Sequence, residues 1–203
     1  PWLGYFAKIL RSDLFVLLDD VQFSKNSWTN RVRIKTSQGA QWLSIPVLTT
    51  GRSGQPITEV EINSQMKWRQ KVLKSIEANY ARAAHFQTCF PEIEQTLLSA
   101  SPNLCNLNIK LIETLMRMLA FDVHYVRSSA LQTTGQQTDL LVSIVNAVGG
   151  STYLSGDGAD YQEDDKFRLA GIRPQKSNFN HPVYPQLWGE FIPGLSVLDP
   201  LFN

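Results

Sequence analysis

A chain of 203 residues with 43% hydrophobic and 18% charged content has the composition of a folded globular protein, long enough to bury a substantial core. Its 19 basic and 18 acidic residues leave a formal charge of +1, which gives no global field to draw in nucleic acid or an anionic membrane. No apolar run approaches the ~18–20 residues that cross a bilayer, so a membrane-spanning role is not expected.

Residues 2–11 carry Leu3, Phe6, Ala7 and Leu10 at helical spacing, with Pro1 ahead of them, and predict a helix. That opening implies a strand upstream of Pro1 that the sequence does not include. Residues 14–18 are a continuous apolar run, the pattern of a strand buried on both faces in a parallel sheet. Residues 31–35 alternate, residues 37–40 supply a turn containing Gly39, and residues 41–47 return as a second extended run, which predicts a β-hairpin. The stretch 49–55, rich in Thr, Gly and Ser, reads as an exposed mobile loop, and 58–62 as a further short strand.

Trp68, Val72, Ile76 and Tyr80 recur every four residues and set a helix over about 65–82. Two more helices are expected at 90–99 and 104–119, then a strand at 122–126. Thr138 or Asp139 caps another helix that Gly149-Gly150 ends, and a strand at 152–155 follows. A short helix over 167–170 and a last strand at 172–175 complete the regular elements. Prolines 182, 185, 193 and 200 imply a tail that wraps over the surface. The sum is a single α/β domain with a mostly parallel, helix-covered sheet in a Rossmann-like layout, a hairpin insertion, and a helical insertion or subdomain at 65–120.

Ligands in such folds bind beyond the carboxyl ends of the strands. The residues leaving the 14–18 strand are the first candidates. Asp19 and Asp20 would point to opposite faces, and either can serve as a general base or hold magnesium beside phosphates. Lys25, Arg31 and Arg33 offer three cations for an anionic ligand, with Gln22, Asn26 and Asn30 as neutral donors and acceptors. Trp28 stands in a polar loop where an indole can stack on a base or sugar ring. Ser155-Gly156-Asp157-Gly158 lies at the end of a second strand, where backbone amides can approach a phosphate. His85, His124 and His181 are widely separated and read as structural, and no residue is assigned as a resident metal ligand. Cys89 and Cys105 show no Cys-x-x-Cys spacing and are expected as separate reduced thiols of a cytoplasmic protein.

Four stretches carry a family resemblance: Pro-Trp-Leu-Gly-Tyr-Phe at 1–6, Leu-Leu-Asp-Asp-Val-Gln-Phe-Ser-Lys-Asn-Ser-Trp-Thr-Asn-Arg at 17–31, Tyr-Leu-Ser-Gly-Asp-Gly-Ala at 153–159, and Phe-Ile-Pro-Gly-Leu-Ser-Val-Leu-Asp-Pro-Leu-Phe-Asn at 191–203. Together they resemble the WbqC-like protein family over essentially the whole chain. The resemblance implies a bacterial protein associated with O-antigen and other surface polysaccharides, and a transferase role such as glycyl or aminoacyl transfer to a nucleotide-linked amino sugar. It also adds Tyr5 to the substrate-binding candidates. The helix opening Pro-x-x-Gly-Tyr and the late Tyr-Leu-Ser-Gly are similar in layout to the nucleotidyltransferase and pantothenate-synthetase group, whose His-x-Gly-His pair is absent here.

The expected activity is thus cytoplasmic group transfer on a small-molecule nucleotide or activated-sugar substrate. Asp19, Asp20, Lys25, Asn30 and Arg31 are its catalytic candidates. Two other classes remain open: a nucleotidyltransferase or ligase, and a non-catalytic nucleotide- or sugar-binding or assembly protein. Oligomeric state has no signature in the sequence.

Overall fold

The computed structural model describes residues 1–99, 101–156 and 162–203. It is a mixed α/β chain with seven helices and short parallel sheets among the described residues. The chain divides into two compact units, one comprising Pro1–Phe6, Asp20–Asp122 and His181–Asn203, the other Ala7–Asp19 and Val123–Asn180. Helix α1 (Leu3–Leu10) contributes residues to both.

In the first unit, β2 (Arg31–Thr36) and β3 (Gly39–Ser44) form an antiparallel hairpin. Gly39, at φ 99°, makes its tight turn, and Thr36 Oγ1 donates to the Gly39 carbonyl at 2.9 Å. Three helices follow: α2 (Trp68–Tyr80), α3 (Phe86–Leu98) and α4 (Leu104–Met118). Trp68, Val72, Ile76 and Tyr80 are all buried, as their spacing requires. Helix α3 begins four residues earlier than expected because Pro91 is accommodated within it. The stretch 58–62 is not a strand: a 3₁₀ turn occupies Ile57–Glu59, and Ile62 and Glu61 make only isolated bridges to Val47 and Asn103.

The tail departs most from expectation. Leu195, Val197, Asp199 and Phe202 are each at most 1% exposed, and α7 (Leu198–Phe202) closes the chain. Phe202 packs 5.3 Å from both Tyr80 and Phe86, ring centre to ring centre, so the tail completes this core. The apolar residues between the prolines outweigh the irregular backbone that the prolines impose.

In the second unit, β1 (Phe15–Leu17) pairs in parallel with β4 (Tyr125–Arg127), and β5 (Thr152–Ser155) with β6 (Arg173–Lys176). Helices α5 (Gln137–Ala147) and α6 (Asp164–Leu169) cover a core of Val145, Phe167 and Ile172, on which Tyr153 stacks 4.6 Å from Phe167.

Three helices stop in the same way. After α5, the Gly150 amide donates to the Val145 carbonyl and the Gly149 amide to Asn146. After α6, Ile172 and Gly171 repeat the pattern on Phe167 and Arg168. These are Schellman caps, whose pivot residue takes positive φ. Gly149 and Gly171 meet that need at φ 68° and 74°. Helix α4 uses the same two bonds, Phe121 to Met116 and Ala120 to Arg117, but the pivot is Ala120 at φ 55°. Relieving that Cβ clash outweighs the extra unfolded-state entropy of glycine, so Ala120→Gly is expected to raise stability by about 0.5–1 kcal/mol in denaturant unfolding.

Candidate functional site

Alternation along β2 sends Arg31, Arg33 and Lys35 to one side of the hairpin, opposite Ser44, Trp42 and Ala40 respectively. Ile34, on the other side, is fully buried. Three cations therefore form a row, and each is held differently. Lys35 is 1% exposed, and its ammonium donates to the Gly189 and Glu190 carbonyls at 3.2 and 2.5 Å. The Arg33 Nη2 donates to the Pro193 and Gly194 carbonyls at 3.2 and 3.4 Å. Arg31 instead lays its guanidinium over the Trp42 ring, 4.1 Å from the centroid, and its buried Nε finds no acceptor among the described residues.

Trp28 joins this face. Its ring lies 5.1 Å from that of Trp42, and the two indoles are 54% and 42% exposed. The two rings are inclined at 56°, and Arg31 covers one face of Trp42, so a flat ligand ring can stack on one indole at a time with a cation close by for an anion. The loop that presents Trp28 is pinned: Asn108 on α4 donates to the Thr29 carbonyl at 2.8 Å, and Thr29 N–H donates to Ser27 Oγ. Lys25 and Asn26 are exposed on this loop, Asn26 in the left-handed conformation at φ 59°. Asn30 is buried. Its Nδ2 donates to the Ile45 carbonyl at 3.1 Å and its own carbonyl accepts from the Ile45 amide, closing the open end of the hairpin.

The remaining candidates are placed as follows. Asp19 belongs to the second unit and Asp20 to the first. Their side chains separate as a strand's alternation requires, Asp19 4% exposed and Asp20 in solvent. Gln22 bridges to Pro56 on the first unit. Tyr5, at the start of α1, has its hydroxyl pushed well above the ordinary phenol range by burial. Ser155 is buried at the end of β5, donating to the Gln175 carbonyl at 3.3 Å, with Gly156 next to it. Asp157 and Gly158 lie outside the described residues.

Asp19 is surrounded. Its Oδ1 accepts from Ser128 Oγ at 3.1 Å and the Ser129 amide at 2.9 Å; its Oδ2 accepts from Arg127 Nε at 2.6 Å and Ser129 Oγ at 2.8 Å. Two donors on each oxygen fill the accepting capacity of a carboxylate. Burial opposes the charge, but the Ser129 amide, Arg127 and the two serine hydroxyls overcome it and hold the carboxyl below its usual range. In this arrangement Asp19 has no direction left for a magnesium ion or a substrate proton. It clamps the 3₁₀ turn Ser128–Ala130 to the end of β1. Among the described residues, no group of three or more His, Cys, Asp or Glu is arranged to hold a metal ion.

A second buried polar group was not anticipated from the sequence. Tyr80 Oη accepts from the Lys35 amide and donates to Asp199 Oδ2, both at 2.8 Å. Asp199 is fully buried, and burial raises its carboxyl above the usual range against the pull of Tyr80, Tyr184, Lys35 and Gln186. The only sequence signal was a Lys on the cationic side of an alternating strand and an Asp within an apolar tail.

The family model of the WbqC-like protein family matches residues 1–203. The uncharacterized protein Rv1507c of Mycobacterium tuberculosis (strain ATCC 25618 / H37Rv) is 34% identical over 206 residues, an alignment covering 100% of this chain and 89% of that protein. No solved structure matches the chain. Among the described residues no helix is long and apolar enough to cross a membrane. With the family model matched from the first residue to the last, the chain belongs to the WbqC-like protein family.

Proposed function

We propose that this protein is a cytoplasmic group transferase of bacterial surface-polysaccharide (O-antigen) biosynthesis, moving an aminoacyl group such as glycyl onto the amine of a nucleotide-linked amino sugar. The observation that carries this reading is the cluster of the half-buried Arg31 over Trp42 with the exposed Trp28 inclined beside it, on one side of the hairpin. A base or sugar ring stacks on the indoles, and the diphosphate sits against Arg31 with Lys25 and Arg33 adding positive potential. Gln22 and Asn26, both exposed, orient the sugar, and the buried Asn30 fixes the open end of the hairpin that carries this face. In the transfer, the sugar nitrogen bonds to the acyl carbon, the carrier leaves with the electron pair of its acyl bond, and Asp20 takes the amine proton. Magnesium, where required, arrives with the phosphates. A single Rossmann-like α/β domain with an inserted hairpin, in a layout like that of nucleotidyltransferases, belongs to the same reading.

Arg31 is half-buried over the Trp42 ring and makes no ion pair among the described residues, and Arg31→Ala is expected to lower turnover of a nucleotide-linked amino sugar at least about 100-fold. Its melting temperature should fall by no more than about 4 °C, since one such cation–π contact contributes about 0.5–1 kcal/mol. Unchanged turnover in the folded variant contradicts the assignment. Pyrophosphate release from a nucleoside triphosphate would move it to the ligase class.

A further inference from the structure

The Trp28 indole reaches the hairpin face from the segment 24–29, and how that segment is held decides whether the face is ready for a ligand. Both of its flanks are fixed. Phe23, 8% exposed, donates its amide to the Gln55 carbonyl at 2.9 Å, and the buried Asn30 is tied to Ile45 by two hydrogen bonds. Between these anchors the chain leaves the core, with Ser24, Lys25, Asn26 and Trp28 all exposed.

The hydrogen bonds local to this segment are long. Ser27 N–H donates to the Ser24 carbonyl at 3.3 Å, Asn30 N–H to the Ser27 carbonyl at 3.4 Å and Thr29 N–H to Ser27 Oγ at 3.3 Å. All three exceed the roughly 2.7–3.2 Å of a well-formed N–H···O bond, so the segment is weakly held by itself. Among the described residues one hydrogen bond reaches 24–29 from a distant element, and it is the shortest of the set: Asn108 Nδ2 donates to the Thr29 carbonyl at 2.8 Å.

The helix behind that bond is firmly anchored. Leu104 and Leu107 of α4 are 0% and 1% exposed, and the N-cap residue Asn103 accepts from the Asn106 amide at 3.0 Å and donates to the Thr58 carbonyl at 2.7 Å. Asparagine is a poor helix former because its amide competes with the backbone, so α4 gains nothing from this residue at 108. Its one bond across 79 positions fixes the peptide next to Trp28.

We infer that Asn108 is a positioning residue of the hairpin face: through the Thr29 carbonyl it sets the Trp28 indole beside Trp42, so that the ring is in place before a ligand arrives. A side chain that is already ordered loses less conformational freedom on binding than one the ligand must fix. Asn108 itself touches no ligand. The inference rests on the proposed reading of this face as the nucleotide site.

The test labels the full chain with 5-fluorotryptophan and follows its five indoles by fluorine NMR, alone and during titration with uridine diphosphate, in wild type, Asn108→Ala and Asn108→Asp at neutral pH. Trp28→Phe assigns the Trp28 signal. Alanine favours the helix, and aspartate keeps the shape of asparagine without its donor, so both variants should fold. In each, the Trp28 signal should move and the Trp42 signal with it, Trp2 and Trp68 should stay in place, and uridine diphosphate should bind about two- to tenfold more weakly. A loss of stability alone would leave the spectrum of the folded variant as in wild type. A Trp28 signal unmoved in either folded variant overturns the inference, and so does unchanged affinity despite a displaced Trp28. Absence of uridine diphosphate binding in folded wild type overturns the nucleotide reading of the face and the role of Asn108 with it, whereas equal binding in wild type and variants overturns the role of Asn108 alone.

Discussion

Replacing Asp19 with Ala is expected to lower the free energy of unfolding by about 3 kcal/mol, the largest loss from any single polar side chain in the second unit. The substitution removes the acceptor of four hydrogen bonds, from Arg127 Nε, the hydroxyls of Ser128 and Ser129, and the Ser129 amide. Ser128 is fully buried and has no route to water, whereas the Arg127 side chain is 39% exposed and rehydrates, which keeps the loss below that of a fully buried pair. The midpoint should fall by roughly 6–12 °C. Because the folded-state carboxyl sits below its unfolded value, its stabilisation is complete above the ordinary carboxylate range and disappears as pH falls through the depressed one. Asp19→Ala should therefore cost most near neutral pH and progressively less toward acid. A loss independent of pH would mean that the aspartate acts by shape rather than by charge.

Tyr80→Phe is expected to cost a similar amount, about 3 kcal/mol, in the first unit. The ring stays in the core between α2, the hairpin and the tail, so packing on Phe202 is unchanged. Only the hydroxyl is lost, and with it the acceptor for the buried Lys35 amide and the donor to Asp199. Here the carboxylate's own contribution has the opposite sign, although the variant's cost again grows toward neutral pH. Burial raises the Asp199 carboxyl in the folded state, so its ionisation destabilises the fold as pH rises from the ordinary carboxylate range toward the raised one. The Tyr80 hydroxyl favours the ionised form, and removing it raises that carboxyl further. Urea unfolding of Tyr80→Phe should show a larger deficit at pH 7 than at pH 4. An equal deficit at both would mean that Asp199 does not share the network's charge.

These two networks show which parts of the molecule were open to reading from the sequence. Local periodicity was sufficient for the α2, α4 and α5 helices, whose apolar residues recur within one turn. It also carried the hairpin, because residues 31–35 alternate and Gly39 marks the turn. Arg31 and Arg33 stood out as cations for an anion, but Lys35 and the row they share did not, and the diagonal contact of Arg31 with Trp42 needed the paired strands. Asp19 stood out as a general base or magnesium ligand leaving a buried strand. Its donors, however, sit 108 to 110 positions away, and nothing local reveals that both oxygens are taken. The same distance hid Asp199, which meets Tyr80 across 119 positions in a tail whose prolines argued for a surface path. The stretch 49–55 read as a mobile loop because Gly and Ser describe a loop's freedom when isolated, whereas Gln55 at its end is tied down by its carbonyl to the Phe23 amide and by its Nε2 to the Leu48 carbonyl.

The account rests on the aromatic and cationic face of the hairpin, and calorimetric titration of a uridine diphosphate amino sugar tests it most directly, on wild type, Trp28→Ala and Arg31→Ala at fixed ionic strength. Saturable binding to wild type, weakened at least about tenfold in each variant while both remain folded, is the predicted result. Binding equally tight in all three, or no binding to the folded wild type, would contradict the claim that this face holds the nucleotide.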